Sequence, residues 1–399
     1  PAPKWLLELV QPRLKELETG IEPAEAIGAA GANVVHVAAK AGSAAERRAA
    51  MKVVAGGQEK VEPKPSGPSW SVDPDVLKHC ALKADGSLKP KAIGNAIAML
   101  SFDKAMQGVF RYDQFHYQTM VMRNFDSDRP SAPTPRPIAD VDVISILKWL
   151  EARGITLSAG QVAAAIEYTA SKNSYHPVRD WLNALVWDKV ERLNSWLSDY
   201  LGVAENAFTS VAGANWLIAG AARIMNPGVK VDNVLVLEGP QGLRKSSVFE
   251  CLATLGGQKY FSDGIQLFGN KDAPMELQGV VIIELAELDA VNRSGMRTVN
   301  AFLTRCIDRY RPPWGRYVIS APRSCIFGAS TNPTGRGYWE DQTGARRIWP
   351  VLCTKIDLEE LRAVRDQLWA EAVHRYRAGE KWWFDDPELI AEAMEAAEE

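Results

Sequence analysis

The sequence predicts a parallel α/β core preceded by a mainly α-helical region. Three observations carry that expectation. Helical periodicity runs from Val72 to about Tyr200, and from Val234 onward short apolar runs alternate with helix-like stretches. The first of those runs ends in a glycine-bearing turn followed by Lys-Ser. The chain has 399 residues, long enough for more than one domain. Hydrophobic residues make up 46% and charged residues 24%, which excludes wholesale disorder and a fibrous protein.

Residues 1–70 read as an N-terminal segment whose Pro-punctuated end, Gly56 to Pro68, is a linker. Residues 71–205 form the expected α-helical domain. Within it, Asp142 to Arg153 carries apolar residues at Val143, Ile144, Leu147 and Leu150 and stops at Gly154. Ser158-Ala159-Gly160-Gln161 is a capping-box signature for the next helix. Residues 206–385 form the α/β domain. A helix through Val211 to Met225 ends at Asn226-Pro227-Gly228, and strands are expected at Val234–Leu237, Val280–Ile283 and Ser324–Ala329. Residues 386–399 read as an acidic tail.

No apolar run approaches the ~18–20 residues of a membrane span, so no membrane partner is expected. No secretory signal is visible, and the chain starts with Pro1 rather than Met, as a processed product or a piece of a longer chain would. The five cysteines are odd in number and lack C-x-x-C spacing, so they read as reduced thiols of a cytoplasmic protein. The five histidines are scattered singletons, and neither group predicts structural zinc.

The run Val234-Leu235-Val236-Leu237-Glu238 leads into Gly239-Pro240-Gln241-Gly242-Leu243-Arg244-Lys245-Ser246-Ser247. A strand, a flexible turn, Lys-Ser and a helix are the parts of a P-loop, in which backbone N–H groups cradle phosphate oxygens. Lys245 then reaches the β- and γ-phosphates of ATP, and Ser246 ligates Mg²⁺. Arg244 occupies the place of the second motif glycine. Some forty residues on, Val280 to Ile283 delivers Glu284, Glu287 and Asp289, as a Walker B strand would. Glu284 is placed to hold Mg²⁺ and Glu287 to polarise the attacking water, with these roles exchangeable and Asp289 a weaker candidate. The strand Cys325 to Thr331 ends at Asn332, either a γ-phosphate sensor or an ordinary turn asparagine before Pro333. Arg346 and Arg347 are candidates for an arginine acting on the phosphates from a neighbouring subunit, or for structural ion pairs.

The net charge of −3 hides two opposed blocks. Arg293 to Arg323 holds seven arginines and one acid, Asp308; Ile356 to Glu399 holds thirteen acids against five Lys or Arg. Within the basic block, Arg309, Arg311, Trp314, Arg316 and Tyr317 interleave cations with aromatics across a Pro-Pro-Trp-Gly turn. That pattern suits a hairpin gripping DNA, with a contact to the next subunit as the other reading.

Several blocks resemble the virulence-associated protein E family of phage- and island-encoded P-loop ATPases, similar in arrangement to superfamily 3 and AAA+ helicases. They include Asn173-Ser174-Tyr175-His176-Pro177-Val178-Arg179-Asp180-Trp181-Leu182, Leu185-Val186-Trp187-Asp188, Pro227-Gly228-Val229-Lys230 and Leu237-Glu238-Gly239-Pro240-Gln241-Gly242. Downstream they include Glu284-Leu285-Ala286-Glu287-Leu288-Asp289, Asp308 to Arg316 and Thr343-Gly344-Ala345-Arg346-Arg347-Ile348-Trp349-Pro350. The resemblance covers roughly residues 75–385. It implies an AAA+-like core, a homo-oligomeric ring such as a hexamer with ATP between subunits, and replication of mobile-element DNA in a bacterial host, often beside or fused to a primase. The expected activity is that of an ATP-dependent DNA helicase or translocase; the alternative is a nucleotide-binding replication initiator or scaffold. Family members usually carry glycine where this chain has Arg244 and Lys189.

Overall fold

The computed structural model describes residues 72–125, 133–264, 273–285, 299–311, 317–332 and 347–398. Residues 68–399 form one unit; residues 1–67, with the expected linker, lie outside the described residues.

The first elements are helices α1 (Pro74–Leu77) and α2 (Ile93–Phe102) and strands β1 (Phe110–Asp113), β2 (Gln118–Val121) and β3 (Arg136–Pro137). Helices α3 (Asp140–Glu151) and α4 (Ala159–Lys172) and strand β4 (Ser174–Tyr175) follow. The capping box at Ser158 is present: its Oγ accepts from Gln161 N, and Gln161 Oε1 accepts from Ser158 N at 3.0 Å. Asp142 does the same work for α3, accepting from Ala139 N at 2.8 Å and pairing with Arg136 at 2.6 Å. Met99, Phe110, Ile146, Leu150 and Ile166 close a core of their own. Four short strands in the order β3-β2-β1-β4 accompany the helices that dominate this region. The strands are two to four residues long, which is too short for alternation to register as a period.

Helices α5 (Pro177–Ala184), α6 (Trp196–Leu201) and α7 (Ala207–Met225) lead into β5 (Val234–Glu238) and α8 (Lys245–Leu252). The short strands β6 (Thr254–Leu255), β7 (Gln258–Lys259) and β8 (Phe261–Ser262), helix α9 (Ala273–Glu276) and strand β9 (Ile282–Leu285) come next. Strands β10 (Ile307–Tyr310), β11 (Ile319–Pro322), β12 (Ile326–Thr331) and β13 (Ile348–Leu352) precede helices α10 (Leu358–Arg377) and α11 (Pro387–Glu398).

Five of these strands form one sheet in the order β13-β5-β12-β9-β8, every pair parallel. Near-continuous apolar burial along β5, β9, β12 and β13 is what a sheet covered on both faces requires. Two indole donors fasten helices to this framework. Trp216 Nε1 on α7 donates to Phe327 O at 2.7 Å, and Trp369 Nε1 on α10 donates to Leu252 O at 2.9 Å. Of the expected acidic tail, Pro387–Glu398 is instead helix α11, with Ala393 fully buried and Met394 packed on the core around β5. Its apolar residues fall at helical spacing between the acids, and burial of that stripe outweighs their charge.

The loop after Trp187 is held from α10. Buried Glu371 accepts from Arg192 N at 2.7 Å and Leu193 N at 3.2 Å, and Gln367 Oε1 accepts from Asp188 N at 2.9 Å. At the bend, Lys189 has φ 67°, a left-handed conformation that glycine adopts without strain.

Candidate functional site

The parallel sheet brings four separated residues together at the C-terminal ends of its strands, where ligands bind in open α/β sheets. The turn after β5 must pass close beneath β13. A Cβ at Gly239 (φ 154°) would lie 2.8 Å from Cys353 O and 2.9 Å from Leu243 Cδ2, so only glycine fits there. Helix α8 then starts with no side-chain cap, leaving the backbone N–H groups of its first turn for an anion. A cleft of about 530 Å³ opens over this turn, lined by residues 241–247 and by Ser330, Thr331 and Asn332.

Lys245 is buried, and its ammonium folds back on the loop. Nζ donates to Gly239 O at 2.6 Å, Pro240 O at 3.0 Å and Asn332 Oδ1 at 3.2 Å. Burial lowers its pKa below the ordinary lysine value, the expected direction for an amine withdrawn from water. Glu284 is 5% exposed at the end of β9. Its Oε1 accepts from Ser246 Oγ at 2.8 Å and Ser330 Oγ at 2.5 Å, while its Oε2 is buried with no hydrogen-bond partner. A buried carboxylate oxygen beside a serine hydroxyl is a donor set that suits a hard divalent cation such as Mg²⁺. Neighbouring Cys353 is no rival nucleophile, because burial pushes its thiol up to about 12.

Gly239, Gln241, Gly242, Arg244, Lys245, Ser246, Ser247, Glu284 and Asn332 thus lie in or beside one cleft. Arg244 is in the left-handed region at φ 67°, so the motif's glycine belongs there for a backbone reason. The side chain is exposed and lines the cleft. Ser330 is a cleft residue missing from the sequence-based expectation. It lies two residues before Asn332 on β12, and strand alternation puts both on one face. Arg347 lies at the other end of the sheet, where its Nε pairs with Asp232 at 3.0 Å. Glu287, Asp289 and Arg346 lie outside the described residues.

The arginine-rich segment is a hairpin. Strands β10 and β11 pair antiparallel between β9 and β12, with Arg309 opposite Ser320. Arg305, Arg309, Arg311 and Tyr317 are exposed, Tyr317 at 81%. Arg323 is not available to a partner. It is buried, forms a two-pronged bond with Asp308 (2.6 and 3.0 Å), and stacks 4.3 Å from the Phe302 ring centroid. Removing that neutral pair leaves six arginines and no acid from Arg293 to Arg316. Trp314 and Arg316 lie outside the described residues.

Among the described residues no helix is long and apolar enough to cross a membrane. They hold no cluster of three or more His, Cys, Asp or Glu side chains placed to bind a metal.

Among solved structures, three apo structures of the NrS-1 C-terminal region are similar to this chain. Two have a TM-score of 0.44 at 13% and 14% identity, and the third 0.43 at 13%; all cover 73% of this chain and 72% of theirs. No curated protein matches. The model of one protein family, the virulence-associated protein E-like domain, matches residues 182–399. That span starts well after the expected residue 75, yet it exceeds half of the chain and contains the whole cleft. The chain belongs to the virulence-associated protein E-like family.

Proposed function

We propose that this chain is an ATP-dependent DNA helicase or translocase of phage or mobile-element replication, working as a ring, such as a hexamer, that hydrolyses ATP between subunits. The observation that carries the reading is the meeting of Lys245, Ser246, Glu284 and Asn332 at one edge of the parallel sheet. The uncapped start of α8 and the Lys245 ammonium bind the phosphates, the ammonium exchanging its loop carbonyls for phosphate oxygens. Ser246 and the unpartnered Glu284 oxygen hold Mg²⁺, which neutralises charge on the transferring phosphoryl group. Asn332 reports on the γ-phosphate, Glu287 orients water, and Arg346 or Arg347 of a neighbouring subunit completes the site. Arg309, Arg311, Trp314, Arg316 and Tyr317 grip single-stranded or forked DNA, and a primase is the expected companion.

The experiment is ATP hydrolysis with and without single-stranded DNA, on material of known oligomeric state. Hydrolysis stimulated by DNA and lost in Lys245→Ala is the expected result; no hydrolysis by the natural chain under either condition sinks the proposal. The second reading, a nucleotide-gated initiator or scaffold without unwinding, is favoured by Arg244 alone. A nucleotide-dependent rise in DNA affinity without strand separation would select it.

A further inference from the structure

The opposite end of the sheet holds a second concavity of a different character. Where β5 and β13 begin, a pocket of about 560 Å³ is walled by Trp349, Trp382, Trp383 and Phe384. The Trp349 and Phe384 ring centroids are 4.4 Å apart at 31°, and Trp382 and Trp383 meet edge-on at 5.1 Å. Trp382 is anchored by its Nε1–H to Lys230 O at 3.1 Å, whereas Trp383 remains 48% exposed. The walls are not wholly apolar. Asn233 is 6% exposed, lines the pocket, and its carboxamide Nδ2 has no hydrogen-bond partner. Lys230 and Arg347 flank the carboxylate of Asp232, at 3.7 and 3.0 Å.

We infer that this pocket binds a nucleobase with its phosphate, stacked on Trp383. Each feature meets one part of that ligand. An exposed indole beside other rings supplies a stacking face for a planar base. The Lys230 ammonium, which lines the pocket 3.7 Å from Asp232, offers a cation to a phosphate. The pocket's size is that of a small-molecule site, which favours a base over an extended proline-rich peptide laid in a shallow groove. The five residues of β5, about 15 Å of strand, separate it from the Lys245 cleft, so the inference does not rest on the proposed ATPase.

Binding is measured on the full chain carrying Lys245→Ala, so that the phosphate cleft contributes least. The probes are AMP, a (dT)12 oligonucleotide, and their baseless counterparts, ribose 5-phosphate and an abasic oligomer. AMP or (dT)12 is expected to bind, with the baseless probes at least about tenfold weaker. Trp383→Ala should weaken the base-bearing probe about tenfold, and Trp383→Phe should restore most of that loss. Binding of AMP alone assigns a free nucleotide, and binding of (dT)12 alone assigns a strand of nucleic acid. The inference is overturned if neither base-bearing probe binds, if baseless probes bind equally, or if Trp383→Ala leaves affinity unchanged. Occupation by a proline-rich peptide in place of both nucleotide probes overturns it as well.

Discussion

The two ends of the five-stranded sheet are built from opposite materials. At the C-terminal ends of β5, β9 and β12 the cleft is made of backbone, the hydroxyls of Ser246, Ser247, Ser330 and Thr331, the carboxamides of Gln241 and Asn332, and the cations of Arg244 and Lys245, with the Glu284 carboxylate beside them. At the N-terminal ends of β5 and β13 the pocket is walled by three tryptophans and a phenylalanine, with Lys230, Asp232, Asn233 and Arg347 along its side. The first arrangement is suited to holding charge through directed donors. The second offers flat apolar area and is suited to a ring. One strand, β5, feeds both. The contrast shows that a parallel sheet can present different side chains at its two ends, because each end is closed by different loops.

The sharpest way to separate the two ends is Lys245→Ala. Hydrolysis of ATP should fall by about 10²–10³-fold, the usual cost of removing one preorganised donor from a site of developing charge. Base binding dependent on Trp383 should survive. Loss of both in a folded chain, checked by circular dichroism, would mean that the ends are coupled. A large effect of the other kind comes from Trp349→Ala. Trp349 is 2% exposed beneath Phe384, and its removal should cost about 3–5 kcal/mol in denaturant unfolding. A cost below about 1 kcal/mol would show that the pocket wall is loosely packed.

A third prediction acts on neither end. His176 begins α5 by accepting from Arg179 N at 3.0 Å through Nδ1, so it must be neutral there. Burial, reinforced by the Arg179 charge, lowers its pKa from 6.5 to about 4. Between those values the unfolded chain takes up a proton that the folded chain refuses. Stability is therefore full above pH 6.5 and falls as the pH drops towards 4. The loss attributable to this group is on the order of 3 kcal/mol by pH 4. His176→Asn keeps a capping acceptor without titrating, so thermal melts between pH 4 and 7 should show a flatter profile in that variant. An unchanged profile would assign the acid sensitivity elsewhere.

How much of this was legible in the sequence depends on how local the chemistry is. Lys245, Ser246 and their strand were readable because the pattern of strand, glycine-bearing turn and Lys-Ser lies in consecutive residues. Glu284 was readable because an apolar strand delivers it abruptly. Ser330 was overlooked although strand alternation pairs it with Asn332, because a serine in an apolar run carries no signal until the sheet order brings Glu284 beside it. The helix α11 and the four short strands of the first core were hidden for other reasons. The acids of α11 masked its buried stripe, and strands of two to four residues have no measurable period. The second pocket depends on segments 229–233, 347–349 and 382–390, which only the fold assembles.

The smallest expected effect compares two left-handed residues. Arg244 and Lys189 both have φ 67°, a conformation that glycine adopts without strain. A non-glycine residue in that conformation costs about 1–2 kcal/mol, partly offset in a glycine variant by about 0.4–1 kcal/mol of extra unfolded-state entropy. Arg244→Gly and Lys189→Gly should therefore each stabilise the chain by roughly 0.5–1 kcal/mol in denaturant titrations. Their effects on hydrolysis should differ. Lys189 sits in the loop tied down by Glu371 and Gln367, remote from the phosphate turn, so its variant should hydrolyse ATP as the natural chain does. Arg244 lines the cleft directly before Lys245, so relaxing its backbone changes how the N–H groups of α8 meet an anion. A rise in hydrolysis for Arg244→Gly alone would identify the natural chain as a damped ATPase. Equal behaviour of the two variants would make Arg244 a tolerated backbone strain with no part in the chemistry.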